Sequence, residues 1–307
     1  MPNSNTAFVP KMAGKTVIIT GANSGIGFAT AKVLAERGAR VVLAVRDEKK
    51  GKKAADAIRG VTEVRKLDLA NLESVRAFVR SWEGPIDLLI NNAGITASSL
   101  SRTADGFELT FGTNHLGPFG LTNLLLPNIT GRVATLGSLA EGMGRINFDD
   151  LNWERAPYKE SRSYANSKLA NVLFTAELQR HLTAAGSRVI ATVAHPGFVS
   201  SNIYDEATDL ATRLMVRFLS QGPEMGALPV LYAAVADIPG NSFVGPKNLM
   251  HMRGAPVLIK SSKAAQDEKL GSQLWSVSEQ LTGVQFPLPS PRQNSAQRVH
   301  GPQRETA

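Results

Sequence analysis

The sequence predicts an α/β fold: one domain built on a doubly wound parallel sheet of about seven strands, with helices on both faces. Three observations point there. Short β-branched and aliphatic runs recur along the chain, too short for helices and separated by stretches of helical patterning. The first run enters a glycine cluster that opens a helix. The polar residues capable of chemistry stand where the runs end, the edge along which ligands bind in such sheets.

In chain order, residues 1–12 are polar and read as a loosely held lead-in to a domain spanning 13–286. Thr16–Thr20 reads as a buried parallel strand. It enters Gly21-Ala22-Asn23-Ser24-Gly25-Ile26-Gly27, residues 28–37 follow as a helix ending near Gly38, and 41–45 form a second strand. This is a βαβ unit. Its glycines permit a tight turn, close approach of backbone to a pyrophosphate, and close packing of helix on strand, with helix amides facing the phosphates. The spacing, T-G-x-x-x-G-x-G, differs from the commoner G-x-G-x-x-G. Elsewhere such a cluster would be only a turn; between strand and helix it predicts phosphate binding.

The end of the second strand bears on the cofactor. An acid there would bind the ribose diol of NAD(H), whereas an Arg accommodates the 2′-phosphate of NADP(H). The chain has Val45, then Arg46, then Asp47. A guanidinium suits phosphate, so NADP(H) is preferred to NAD(H). Asp47 argues the other way, and Arg46 could simply begin the solvated basic helix that follows.

A third strand, 64–67, ends in Asp68-Leu69, where the acid could meet an adenine amino group or cap the helix beginning near Asn71. A fourth, 88–90, runs into Asn91-Asn92-Ala93-Gly94, which suits close contact with a ribose or a plain turn. Residues 103–127 read as helical with Asn114 in the middle, an unfavourable place that hints at a purpose. A fifth strand, 133–136, precedes Gly137-Ser138, and 140–162 look irregular. The helix over 163–181 contains Tyr164 and Lys168, one turn apart on the same face. An ammonium near a phenol favours the phenolate and brings it toward a useful working range. By itself such a pair is commonly a surface Tyr over a Lys stem. A sixth strand, 189–193, is closed by Ala194-His195-Pro196-Gly197-Phe198-Val199-Ser200-Ser201. Residues 203–219 carry an apolar stripe at helical spacing, 222–236 suggest another helix and 242–245 a seventh strand. The tail, 287–307, is rich in Pro, Gln, Ser and Arg and is expected to be disordered.

Composition narrows the classes. The 307 residues include no Cys, which excludes disulfides, thiolate metal sites and Cys nucleophiles, and no metal site is predicted. No apolar run approaches the roughly 18 residues that span a bilayer, and the start of the chain lacks the pattern of a secretory signal. A cytoplasmic protein is expected. The net charge of +8 lies largely in the run from Arg46 to Lys53 and in the tail. Without interleaved aromatics or a recognition motif it reads as solvated surface, so no nucleic-acid partner is expected.

Taken together, Thr20-Gly21…Gly25-x-Gly27, Asp68-Leu69, Asn91-Asn92-Ala93-Gly94, Asn114, Ser138, Tyr164…Lys168 and Pro196-Gly197 resemble, in order and spacing, the short-chain dehydrogenase/reductase superfamily over about residues 14–287. The nearer likeness is to its NADP-preferring, retinol-dehydrogenase-like branch and actinobacterial relatives. It rests on TNHLG around Asn114, SKLANVLFTAELQRHL after Tyr164, AHPG at 194–197 and SFVGP at 242–246.

The resemblance implies a Rossmann fold and a role for each matching residue. Tyr164 would be the general acid in carbonyl reduction and the base in alcohol oxidation. Lys168 would lower the Tyr164 pKa and hold the nicotinamide ribose. Ser138 would bond the substrate oxygen, and Asn114 would anchor a water linking Lys168 to solvent. The cofactor would lie against Gly21, Asn23, Ser24, Gly25, Ile26, Gly27, Arg46, Asp68, Leu69, Asn92, Ala93, Gly94, Tyr164, Lys168, Pro196, Gly197, Val199 and Ser201. Three departures stand out. Gly137 replaces a second Ser, which would enlarge the carbonyl pocket; Ser201 stands for a Thr; and Ser24 lacks the basic group of some NADP enzymes. His195 is read as structural rather than as an extra acid or base. The segment around 200–222 would form a lid whose Leu, Met and Phe suit a lipophilic carbonyl or alcohol. Family analogy adds a homodimer or homotetramer. The competing reading is a catalytically silent NADP(H)-binding redox sensor.

Overall fold

Alternation within the strands decides how the layers assemble. Val17 and Ile19 of the first strand face one hydrophobic cluster while Ile18 between them faces another, and all three are fully buried. A strand apolar on both faces needs helices on both. The computed structural model describes residues 4–199 and 221–289, and shows that arrangement.

The strands are β1 (Thr16–Thr20), β2 (Arg40–Val45), β3 (Val61–Lys66), β4 (Ile86–Asn91), β5 (Ile129–Leu136), β6 (Ile190–Ala194), β7 (Phe243–Asn248) and β8 (Arg253–Ile259). They form one sheet in the order β3-β2-β1-β4-β5-β6-β7-β8. Pairing is parallel from β3 to β7, and β8 runs antiparallel to β7. The sheet therefore has eight strands, against the expected seven. The order reverses direction between β1 and β4, which opens a crevice above their carboxyl ends.

Helices α1 (Gly25–Glu36) and α2 (Glu48–Asp56) lie on the face of Val17 and Ile19, together with α7 (Pro223–Val235). The opposite face is covered by α3 (Leu72–Arg80), α5 (Gly117–Leu125) and the long α6 (Glu160–Ala184). Helix α8 (Glu268–Thr282) packs outside α6, with Trp275 stacked on Phe174 at 5.9 Å and edge-on to Phe119 at 5.0 Å.

Several expectations are corrected. The lead-in is packed from Thr6 onward: the Arg37 guanidinium donates to the Thr6 carbonyl at 2.7 Å, and Val9 and Met12 are buried in the core. Residues 103–127 are not one helix. Thr103 and Phe107 bracket a tight turn, Glu108 caps the short α4 (Leu109–Phe111), a π-helical turn spans Gly112–Leu116, and α5 follows. Strand β8 and helix α8 had not been anticipated. Most of the segment expected as a lid, 200–220 with Ser201, and the tail from 290 onward lie outside the described residues.

Candidate active site

The carboxyl edge of the sheet holds a cleft of about 650 Å³ above β1, β4, β5 and β6. Its floor begins at the turn after β1. Gly21 and Gly25 have φ of 66° and 55°, in the left-handed region that favours glycine. At Gly27 a Cβ would collide with the Asn92 amide and the Gly21 carbonyl, so α1 packs this closely only without a side chain. Asn92 in turn donates from Nδ2 to the Thr20 carbonyl at 2.8 Å, and the Thr20 hydroxyl accepts from the amides of Asn92 and Ala93 at 3.0 and 2.9 Å. One bond set thus locks the glycine turn to the end of β4. Gly21, Asn23, Ser24, Gly25, Ile26 and Gly27 all line the cleft.

At the tip of β2, Arg46 lines the cleft as expected, and so does Lys50 from the first turn of α2. From sequence alone Lys50 reads only as part of a solvated basic face. Asp47 is occupied as the helix cap: its Oδ1 accepts from the amides of Lys49 and Lys50 at 3.0 and 3.1 Å. The bond from Lys50, joined by that from Lys49, holds its carboxyl below the ordinary range. This end of the cleft therefore presents two cations and a helix start, with the Asp47 carboxylate beside them held by the amides it caps. Asp68 and Leu69 lie just beyond the end of β3, and Asn71, not Asp68, caps α3 by accepting from the Ser74 amide at 3.1 Å. The Asp68 carboxylate accepts from Ala70 N at 3.0 Å and borders the cleft.

The other end gathers the remaining residues. Tyr164 and Lys168 project from α6, with Lys168 Nζ 5.5 Å from the centre of the Tyr164 ring. Lys168 is buried and donates to the Leu136 carbonyl at 3.2 Å. Burial lowers its pKa to about 8. Asn114 sits in the π-helical turn, where its Oδ1 accepts from Ile95 N at 2.8 Å. Its Nδ2 donates to the Ile95 carbonyl at 2.9 Å and to the Ser167 hydroxyl at 3.0 Å. A Cβ at Gly94 would stand 3.5 Å from both Asn114 Oδ1 and Lys168 Nζ, so the two side chains meet beside that glycine. Ser138 caps the turn after β5, its hydroxyl oxygen accepting from Ala140 N at 3.2 Å, which leaves its proton for another acceptor. A phenol, an ammonium and a hydroxyl around one space can deliver a proton to a carbonyl oxygen and stabilise charge on it.

Gly137 does not enlarge this pocket. A Cβ there would lie 2.8 Å from Val193 Cγ2, against Val172 and Phe243 as well, so its missing side chain is replaced by core. Pro196, Gly197 and Val199 border the cleft beyond β6. His195 borders it too, buried, with neither ring nitrogen in a hydrogen bond of normal geometry. Burial pushes its pKa down to about 4, the Lys168 charge acts in the same direction and the His251 carbonyl opposes both. It is a neutral imidazole at physiological pH. Among the described residues no group of three His, Asp or Glu side chains is placed to hold a metal, and no helix is long and apolar enough to cross a membrane.

The profile of the short chain dehydrogenase family matches residues 15–210. Human retinol dehydrogenase 13 is 42% identical over 297 residues, covering 89% of this chain and 86% of its own. Mouse retinol dehydrogenase 12 is 40% identical over 294 residues, with 90% and 89% covered. Among solved structures, an uncharacterized protein from Mycobacterium paratuberculosis is 50% identical with a TM-score of 0.82, covering 92% of this chain and 99% of its own. RhlG of Pseudomonas aeruginosa, solved as a complex with NADP in its active site, is 25% identical with a TM-score of 0.60 over 76% of this chain and 94% of its own.

Proposed function

Because the chain belongs to the short-chain dehydrogenase/reductase family, we propose that it interconverts a lipophilic aldehyde or ketone and the corresponding alcohol, using NADP(H) in preference to NAD(H). The observation that carries this reading is the gathering of Tyr164, Lys168 and Ser138 at one end of a cleft, with buried Asn114 behind Gly94, and at the other end a glycine turn with two cations. A silent sensor would have no use for the first group.

The residues fit a dinucleotide. The glycine turn is shaped for close backbone approach, Asp68 and Gly94 border the middle, and Arg46 with Lys50 suits a 2′-phosphate while Asp47 is engaged as a cap. When bound, NADP(H) supplies or accepts the hydride. In reduction, Tyr164 donates its phenolic proton to the substrate oxygen. The Lys168 ammonium stabilises the phenolate left behind, and Ser138 donates a hydrogen bond to the same oxygen. Asn114, held by the Ile95 backbone, anchors a water that links Lys168 to solvent and through which the proton is replaced. The lipophilic substrate class rests on the relatives, whose names specify retinol. We place the protein in the cytoplasm, where the absence of Cys costs nothing.

The test is NADPH consumption across aldehydes and ketones of increasing apolar size, with Tyr164→Phe as the control. Turnover is expected to rise with apolar size and to fall roughly 10³-fold in the variant, with NADPH affinity nearly unchanged. Retained turnover in Tyr164→Phe would remove the acid assignment, and tight NADPH binding without any turnover would favour the sensor.

A further inference from the structure

Ser138 stands just beyond the sheet. Strand β5 ends at Leu136, and Gly137 still donates to the Ala194 carbonyl of β6 at 2.8 Å. After that the ladder stops, and the bonds Ser138 makes are local. Its hydroxyl oxygen accepts from Ala140 N at 3.2 Å and its carbonyl from Glu141 N at 3.1 Å. They shape a single 3₁₀ turn, Leu139–Met143, a form with poorer hydrogen-bond geometry than an α-helix. Such bonds fix the form of the turn but not where it stands above the cleft.

Two ties from outside place it. At the far end, Gly144 lies so close to α6 that a Cβ would stand 2.6 Å from Leu169 Cβ, and Arg145 N donates to Asn166 Oδ1 at 2.7 Å. At the near end the tie is Glu141, which is 3% exposed. Its carboxylate reaches Ser262, where Oε1 accepts from Ser262 N at 2.7 Å and Oε2 from the Ser262 hydroxyl at 2.5 Å. Among the described residues no cation pairs with it. A carboxylate taken out of water is costly unless such bonds satisfy it, and bonds to a charged acceptor are the stronger kind. Ser262 is itself fixed. It follows β8, its hydroxyl oxygen accepts from Ala265 N at 3.2 Å, and Ala265 is buried in one cluster with Leu169 and Leu173 of α6. The return strand β8 thus delivers an anchor to the turn that carries Ser138.

We infer that Glu141 is a positioning residue for Ser138. Its side chain grips Ser262 while its amide holds the Ser138 carbonyl, and together they set the Ser138 hydroxyl where the substrate oxygen binds. Glu141 does not border the cleft, so it acts through Ser138 and not on substrate or cofactor. In the oxidoreductase reading, on which this inference rests, Ser138 donates to that oxygen. A donor stabilises developing charge only when it is already aimed at the place the charge will occupy. A remote change that misplaces such a group by about 1 Å can cost roughly 10²-fold in rate.

The experiment compares Ser138→Ala, Glu141→Ala, Glu141→Gln and the double alanine variant in the full chain. Ser138→Ala should lower kcat roughly 10²–10³-fold and Glu141→Ala roughly 10–10²-fold, with NADPH affinity nearly unchanged in both. The double variant should be no slower than Ser138→Ala alone, because a residue that acts through another adds nothing once that other is gone. Gln keeps an acceptor for Ser262 N and should restore most of the turnover. Losses that multiply in the double variant would overturn the inference, and so would a Gln variant as slow as Glu141→Ala, which would assign the effect to charge. Hydrogen exchange supplies an arm without turnover: amides of residues 138–145 should exchange roughly tenfold faster or more in Glu141→Ala, while those of 21–27 keep the parent rate. If the parent reduces no carbonyl, the oxidoreductase reading falls, and exchange still decides whether Glu141 holds the turn; unchanged rates there would overturn the tie. Should Glu141→Ala not fold, Ser262→Ala removes one of the two bonds and is expected to show the same pattern at smaller amplitude, its absence counting against the inference in the same way.

Discussion

Helix α6 and the broken segment from Leu109 to Leu125 each bring one side chain to the same spot beside Gly94, by opposite means. In α6 the helix runs regularly for 25 residues, and its periodicity alone puts Tyr164 and Lys168 on one face. The other segment departs from regularity where Asn114 sits. The Gly117 amide bonds back to the Gly112 carbonyl, one residue further than in an α-helix, and the widened turn directs Asn114 onto the Ile95 backbone. The two are tied together by Ser167, whose hydroxyl accepts from Asn114 and donates to the Tyr164 carbonyl at 2.8 Å. Buried Glu108 adds a second tie, accepting from the amides of Thr110 and Phe111 and from the Ser163 hydroxyl at 2.9 Å. A regular helix can present a pair. Setting one residue against a neighbouring backbone took a local irregularity.

The contrast can be broken by opposing effects on stability. Lys168→Met is expected to lower turnover by roughly 10²–10⁴-fold yet to stabilise the apo fold. Burial holds the folded pKa near 8, below the exposed value of 10.5. The unfolded chain therefore binds more protons between those values, and stability rises with pH across that window. Below pH 8 the buried charge costs about 3 kcal/mol, which the variant recovers, and the rise disappears. Denaturant melts from pH 7 to 10 measure both. Asn114→Ala should also impair turnover, by less, but it should destabilise the fold by about 1–3 kcal/mol for each Ile95 group left unpaired. If both variants destabilise equally, the regular helix is not the independent platform described. The smallest effect belongs to a third helix. Lys50→Ala should weaken NADPH by roughly two- to fivefold and leave NADH unchanged, against roughly tenfold or more for Arg46→Ala. Equal losses for the two dinucleotides, read by fluorescence titration, would separate Lys50 from the 2′-phosphate.

The same contrast explains what could be read in advance. The glycine turn, the seven parallel strands and the Tyr164–Lys168 spacing depend on short-range pattern, and each is visible in a few consecutive residues. The π-helical turn is not: Asn114 in mid-helix hints at a purpose, but the Ile95 backbone it bonds lies far off in sequence. Strand β8 was hidden by composition: Arg253-Gly254-Ala255-Pro256 carries no alternation, and it is held by pairing with β7. Helix α8 did carry signals that could have been used. Asp267 caps it by accepting from Lys269 N and Leu270 N, Leu270 and Leu274 stand one turn apart, and Gly283 closes it with φ of 62°. Lys50 became informative only once the first turn of α2 was seen to border the cleft.

The two prolines of the outermost hairpin have a consequence for how the sheet ends. Pro246 and Pro256 are register partners, and Val244, two positions from Pro246, turns its carbonyl inward to His195. By the alternation of an antiparallel ladder, the Pro pair is one in which each residue's nitrogen points away from the other strand. The nitrogen of Pro256 therefore faces outward and has no hydrogen to offer. At the far edge, Glu63 of β3 is held by Arg40 and Arg65, so a charged cluster occupies that border. Stray strands, including those of partly unfolded copies, meet a missing donor at one margin and fixed charge at the other, which guards an open eight-stranded sheet against growing into an aggregate.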